Sequence, residues 1–221
     1  FGQTYLKIEK KIGETDSIAL SNIQRIYFSG SPTSLLASWP LDEGTGTIAN
    51  DISGNGYHGT LSSGVTWAVG GLNLNGGNNA VSFIDSVFRM NEGSWQVTIN
   101  AVSGQNGWII CKDNFGYMDD GILWLESNGN VWFDIHVNST SSTQSITSTS
   151  TIPYGVDVTL TAEWGSNGMK LFINETLVGT NPYTGPIISV GRPLMLGQDI
   201  GNPNGFNGVI KDVKVYNTYI K

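Results

Sequence analysis

Four stretches of this sequence hold residue types at spacings that can do chemistry. In "LDEGTGTIANDISGNGYHGTL", residues 41–61, the carboxylates Asp42, Glu43 and Asp51 and the imidazole of His58 sit among Gly44, Gly46, Gly54, Gly56 and Gly59. In "VWFDIHV", two-residue periodicity places Trp132, Asp134 and His136 on one face of a strand. The loop "KDNFGYMDDG" contributes Lys112, Asp113, Tyr117, Asp119 and Asp120, and "GQDIGNPNGFNG" contributes Gln198, Asp199, Asn202 and Asn204. Three chemistries are open to such sets. Clustered carboxylates and amide oxygens suit a hard cation, an acid pair suits glycosidic hydrolysis, and rings beside planar polar groups suit ligand recognition on a rigid face.

Nucleophilic catalysis has little to work with. The histidines are His58 and His136, no Gly-x-Ser-x-Gly turn occurs, and two histidines with one cysteine argue against a zinc or other transition-metal site. Cys111 is the only cysteine, which removes an internal disulfide and a thiolate zinc site. Hydrolysis of a glycoside needs two carboxyls about 5–5.5 Å or about 6.5–9.5 Å apart. Asp134 has no second acid on its strand face, Glu126 and Glu163 are solitary, and Asp119 and Asp120 diverge if extended. No catalytic residue is assigned. Around Asp51 the case for a cation is one of charge. No Lys or Arg lies between Leu36 and Arg89 to offset the acids, and "DISGNGYHG" offers carboxylate, amide and backbone oxygens. The competing reading is a set of tight turns, with glycines at positive φ and Asp51 and Asn55 bonding their own backbone.

The elements that must position these groups are strands. Of 221 residues, 39% are hydrophobic and only 13% charged, with 29 glycines, a composition of short strands and tight turns. A net charge of −7 without any basic run excludes a nucleic-acid partner, and no apolar run approaches the ~20 residues that span a bilayer. No signal peptide is visible at Phe1, so the chain reads as processed or as a piece of a longer protein. "SWQVTINAV" alternates Trp95, Val97, Ile99 and Ala101 against polar neighbours, and "DVTLTAEW" does so with Val158, Leu160, Ala162 and Trp164. "GMKLFINETLVGT" reads as a hairpin turning at Asn174-Glu175, with Leu171, Ile173 and Leu177 available to a core. "GILWLESNGNVWFDIHV" reads as a second, with Asn128-Gly129 as a two-residue turn. That register sets Trp124 opposite Phe133 and Leu125 opposite Trp132. Ile122, Trp124, Phe133, Ile135 and Val137 then point to the core, and Leu123, Leu125, Trp132, Asp134 and His136 form a ligand face. The spacing predicts an all-β, antiparallel sandwich or barrel. Residues 1–34 read as a separate small β-hairpin-like segment ending in the linker "SGSPTS", and 35–221 as the main domain.

"LASWPLDEGTGTIANDISGNGYHGTL" and "GFNGVIKDVKVYNTYI" resemble the opening and closing signatures of laminin-G-like domains of the concanavalin A-like lectin/glucanase superfamily. "WIICKDN", "GMKLFINETLVGT" and "LMLGQDIG" resemble its middle strands in the expected order, so the resemblance runs from about Leu36 to Ile220. It implies a jelly-roll of two antiparallel sheets, one concave, in a family whose members mostly bind carbohydrate or protein. It also implies a structural calcium shared by Asp51 and Asp212, with Glu43 and backbone oxygens around Asn55 and His58 as additions. The family's pattern has two acids after the closing Ile, whereas Lys211 stands first here.

The expectation is a non-catalytic carbohydrate-binding module of a secreted or cell-surface bacterial protein, a monomeric part of a larger chain that does not insert into a membrane. Its ligand set is Trp132, Asp134, His136, Lys112, Asp113, Tyr117, Asp199 and Asn202. The acidic charge favours a neutral glycan. A protein-adhesion or spacer module, or a hydrolase or lyase of the same fold, is the alternative.

Overall fold

The computed structural model describes residues 5–9, 15–19, 34–77, 79–83, 88–113, 118–199 and 204–221. The chain divides into two compact units, Phe1–Thr33 and Ser34–Lys221. In the first, β1 (Tyr5–Glu9) and β2 (Thr15–Ala19) pair antiparallel, with Tyr5 against Ala19 and Glu9 against Thr15.

The second unit begins with β3 (Leu35–Trp39), β4 (Ile48–Ala49), β5 (Gly59–Leu61), β6 (Thr66–Ala68), β7 (Gly71–Asn75) and β8 (Val81–Ser82). Longer strands follow: β9 (Gly93–Ala101), β10 (Gly107–Lys112), β11 (Asp120–Leu125), β12 (Val131–Val137) and β13 (Ser142–Thr147). The chain closes with β14 (Val158–Trp164), β15 (Met169–Ile173), β16 (Thr176–Asn181), β17 (Met195–Leu196) and β18 (Asn207–Tyr216). One sheet has eight strands in the order β13-β12-β11-β10-β17-β8-β5-β4. The other runs β16-β15-β14-β9-β18-β7-β6, with β3 paired to the far half of β18. Among the described residues every pair of named strands is antiparallel, as the hairpin reading expected, and the two sheets form a sandwich.

The inward faces are those the alternation marked. Trp95, Val97, Ile99 and Ala101 of β9 and Val158, Leu160, Ala162 and Trp164 of β14 are all buried. Trp95 packs edge-on against Trp164 (centroids 5.1 Å apart) and reaches across the sandwich to Phe133 at 6.1 Å. Such aromatic contacts add to the area they remove from water. The Asn174-Glu175 turn forms as expected, both residues at positive φ (46° and 70°) between the paired Ile173 and Thr176. Leu177, expected in the core, is half exposed instead, because a register shift between Leu171 and Phe172 breaks the simple alternation of this hairpin.

Candidate functional site

The β11–β12 hairpin decides which side chains face outward, and it differs from the expected turn. Glu126 and Asn130 are the closing pair (Glu126 N to Asn130 O, 2.9 Å), so the loop is Ser127-Asn128-Gly129, three residues long. Gly129 takes the left-handed conformation (φ 91°), its N–H donates to Glu126 O, and Asn128 Oδ1 accepts from Asn130 N at 2.8 Å. One extra loop residue shifts the register by one and moves a whole strand face to the other side. Trp124 therefore lies opposite Trp132, Ile122 opposite Asp134 and Asp120 opposite His136. Leu123 and Leu125, expected on the ligand face, join Val131, Phe133 and Ile135 in the core, and Trp124 and Ile122 turn outward. Trp132, Asp134 and His136 keep the outward face expected of them.

On that face the side chains form rows across the strands. The first row is Trp108, Trp124, Trp132 and Thr147. The three indoles are half-buried, with centroids 5.5 Å and 5.4 Å apart and planes tilted by 34° and 45°. Each ring thus braces the next, and the row forms a continuous aromatic ridge. Nε1 of Trp108 and of Trp132 is buried with no hydrogen-bond partner among the described residues. The second row is Cys111, Ile122, Asp134 and Ser145. Asp134 is 9% exposed. Burial raises its pKa, while hydrogen bonds from Ser145 and the Trp124 indole and the charge of His136 act the other way.

The third row joins Asp120 and His136, with Asp113 following the end of β10. His136 Nδ1 lies 2.7 Å from Asp120 Oδ1, and this bond raises the imidazole pKa; burial opposes it, and the charges of Asp120, Asp113 and Asp134 add to it. Burial, a hydrogen bond with Asp120 and the charges of Asp120 and Asp199 push the Asp113 carboxyl up to about 8. One ligand atom from each of Asp113, Asp120 and His136 lies within 4.8 Å of the others, so the three can hold a metal ion. The sequence presents Asp120 only as half of a loop pair with Asp119, outside the expected ligand set. Asp119 does turn away, at φ 53° and with its carboxylate accepting from Asn138 N, but Asp120 is the first residue of β11 and wholly buried. Alternation puts Asp120 on one face with Ile122 and Trp124, and only the observed register turns that face outward.

Of the remaining expected ligand residues, Asp199 is buried, and its charge acts on Asp113 and Cys111. Lys112 is corrected. It is paired with Gly121 on the core side of β10, wholly buried, and its Nζ donates to Arg192 O, so it does not reach the outer face. Tyr117 and Asn202 lie outside the described residues.

The residues proposed for calcium have other partners. Asp51 Oδ1 accepts from Ser38 N and Ser53 N, both at 2.9 Å, and Oδ2 from Ser53 Oγ at 2.8 Å and Tyr57 N at 3.0 Å. Burial pushes its pKa up, but these donors outweigh it and hold the carboxyl below its usual value. Glu43 Oε1 accepts from Asn50 N and Nδ2, while Oε2 is buried with no partner among the described residues. His58 Nδ1 accepts from Asp51 N, and Asn55 Nδ2 donates to Leu36 O. Asp212 sits in a bulge at φ 40°, with Oδ2 2.6 Å from Lys214 Nζ. Around Asp51 and Glu43, neutral N–H and O–H donors stand where the sequence offers no basic partner, and Asp212 has Lys214. Gly59, expected at a positive-φ turn, is instead a close approach, where a Cβ would lie 2.3 Å from Phe83.

Two antiparallel sheets in this order make a β-sandwich of the concanavalin A kind. Residues 97–220 match the laminin-G-like family described as the Concanavalin A-like lectin/glucanases superfamily, and the chain belongs to that family. No curated protein matches the sequence. Among solved structures it is similar to domain 4 of AbnA, a GH43 extracellular arabinanase from Geobacillus stearothermophilus, in complex with arabinotriose. That match has a TM-score of 0.66 at 16% identity, over 83% of this chain and 92% of that one. The Ruminococcus gnavus IT-sialidase CBM40 bound to alpha2,3 sialyllactose matches with a TM-score of 0.58 at 15% identity, over 68% and 91%. A Trypanosoma rangeli sialidase mutant displaying trans-sialidase activity matches with 0.61 at 12% identity, over 85% of this chain and 31% of that one. At these identities the likeness is one of fold.

Proposed function

We propose that this domain is a non-catalytic, glycan-binding module of a secreted or surface protein, and that it holds its ligand on the outward face of β10–β13. The carrying observation is the row Trp108-Trp124-Trp132, braced ring to ring and running straight into a polar strip of Asp134, Ser145 and Thr147. Rings present apolar surface to sugar C–H groups, and the strip supplies hydrogen-bonding groups for hydroxyls. The chain's net charge of −7 disfavours anionic polysaccharides and leaves a neutral glycan as the ligand class. Two of the similar structures hold oligosaccharides, arabinotriose and sialyllactose, which supports sugar binding on this fold.

Hydrolysis fits less well. Asp113 and Asp120 share a hydrogen bond, with ligand atoms within 4.8 Å. A hydrogen-bonded carboxyl pair does not leave between its members the room for a sugar or a water that the two hydrolytic routes need. The pair suits a shared proton or a shared cation better than a glycosidic oxygen. Because its donor set mixes an imidazole with carboxylates, a cation held there would be of the zinc or manganese type rather than calcium, which prefers oxygen alone. The test of binding is a panel of neutral polysaccharides by affinity electrophoresis. Retention by at least one member, lost in Trp132→Ala, supports the proposal. A protein-adhesion module would be retained by none.

A further inference from the structure

The joint between the opening and closing motifs is where the family resemblance implies calcium, and its residues do not fit that ion. A carboxylate has about four lone-pair sites. Asp51 has all four filled by protein hydrogens, two on each oxygen, at 2.8–3.0 Å. Calcium takes about 6–8 oxygen ligands, yet the second acid, Asp212, is bonded to an ammonium. Of the side-chain oxygens in this set, only Glu43 Oε2 is buried without a partner among the described residues.

The connection between these groups runs through β3. Ser38 N donates to Asp51 Oδ1, and Ser38 O accepts from Ile52 N at 2.8 Å, so one residue grips the turn from both sides of its peptide. Ser38 is also the register partner of Lys214 on β18, while Pro40 O accepts from Asp212 N at 3.4 Å. The bulge between Lys211 and Lys214 puts an extra residue into β18 against β9, and the positive φ of Asp212 lies within it. Asp tolerates this left-handed conformation better than most residues. The other flanking lysine is engaged elsewhere, Lys211 Nζ lying 2.8 Å from Asp157.

We propose that this joint is metal-independent, with Lys214 as a built-in cation for Asp212 and the Ser38, Ser53 and Tyr57 donors doing for Asp51 what an ion does elsewhere. The two ends of the domain then stay closed whether or not calcium is present. The test is scanning calorimetry of the 221-residue protein carrying Asp113→Asn, which disables the separate cation cluster, in calcium and in EGTA. The expected result is one melting temperature in both buffers. Asp51→Asn, and separately Lys214→Ala, lower it equally in both, and the Lys214→Ala loss shrinks as salt is added. A melting temperature that rises with calcium, and loses that rise in Asp51→Asn or Asp212→Asn, overturns the proposal. A rise that survives both substitutions locates the ion elsewhere and leaves the joint as proposed.

Discussion

Trp124 faces Trp132 directly across the β11–β12 ladder, the two indole centroids 5.4 Å apart. The pairing exists because Gly129 accepts a left-handed turn and lengthens the loop to three residues. A Cβ at Gly129 would meet Thr151 at 3.1 Å as well as strain the backbone. The position of one glycine thus selects tryptophan rather than leucine for the outer face, and the site depends on that selection.

The face assignment separates two neighbouring residues by the property each controls. Leu123→Ala opens a cavity in the core and is expected to cost ~2–5 kcal/mol of stability. Trp124→Ala removes a half-buried outer ring, so it should cost less stability and weaken glycan binding. Urea unfolding of both variants beside a binding measurement checks this, and equal destabilisation with equal binding would reverse the assignment.

The inter-sheet core gives a second expectation. Trp95 is wholly buried against Trp164 and Phe133, so Trp95→Ala is expected to lose ~3–5 kcal/mol. Trp95→Phe keeps the ring and should lose less. Denaturant midpoints measure both.

Stability should fall as pH rises from mildly acidic to mildly alkaline. Asp113, with its folded-state pKa raised to about 8, keeps a proton that the unfolded chain releases near 3.8, so its destabilising contribution grows across that interval. His136, also raised, contributes stability that is complete below its ordinary value and is lost as pH climbs through the higher folded-state value. Both act in the same direction. Asp51 acts oppositely. Its pKa is lowered, so its contribution is present above the unfolded value and is lost in acid as pH falls through the folded one. The urea midpoint is expected to drop between about pH 5 and pH 8, and Asp113→Asn to flatten that drop. A midpoint that rises over this range, or a slope unchanged in Asp113→Asn, contradicts the assignment.

Cation binding at Asp113, Asp120 and His136 competes with those same protons, because ligands must lose them. Zinc or manganese is therefore expected to raise the melting temperature more at higher pH than at lower, with the rise absent in His136→Ala. A response to calcium alone would contradict the donor set.

Much of the fold was legible because burial enforces period. The faces of β9 and β14, where one side meets the opposite sheet, follow from alternation alone, and so does the Asn174-Glu175 turn. The site was legible only in part. Trp132, Asp134 and His136 were placed together by their two-residue spacing, but their partners depended on a loop length that Asn128-Gly129 does not determine, since the same dipeptide serves two-residue and three-residue turns. Asp120 and Trp108 come to the face from other strands, and pairing across strands is not written in local spacing. Lys112 misled because charge suggests exposure, while its place at the end of β10 buries it beneath the sheet. At Asp51 the missing basic residues suggested an ion, but backbone N–H groups, which no sequence pattern displays, supply the donors.

The central claim is that the Trp108-Trp124-Trp132 row holds a neutral glycan, and titration calorimetry with the polysaccharide best retained in affinity electrophoresis tests it most directly. Trp124→Ala and Trp132→Ala are each expected to weaken binding on the order of tenfold or more, about 1.4 kcal/mol per factor of ten, in protein that still melts cooperatively. Retention of no polysaccharide, or affinity unchanged in both folded variants, would contradict it.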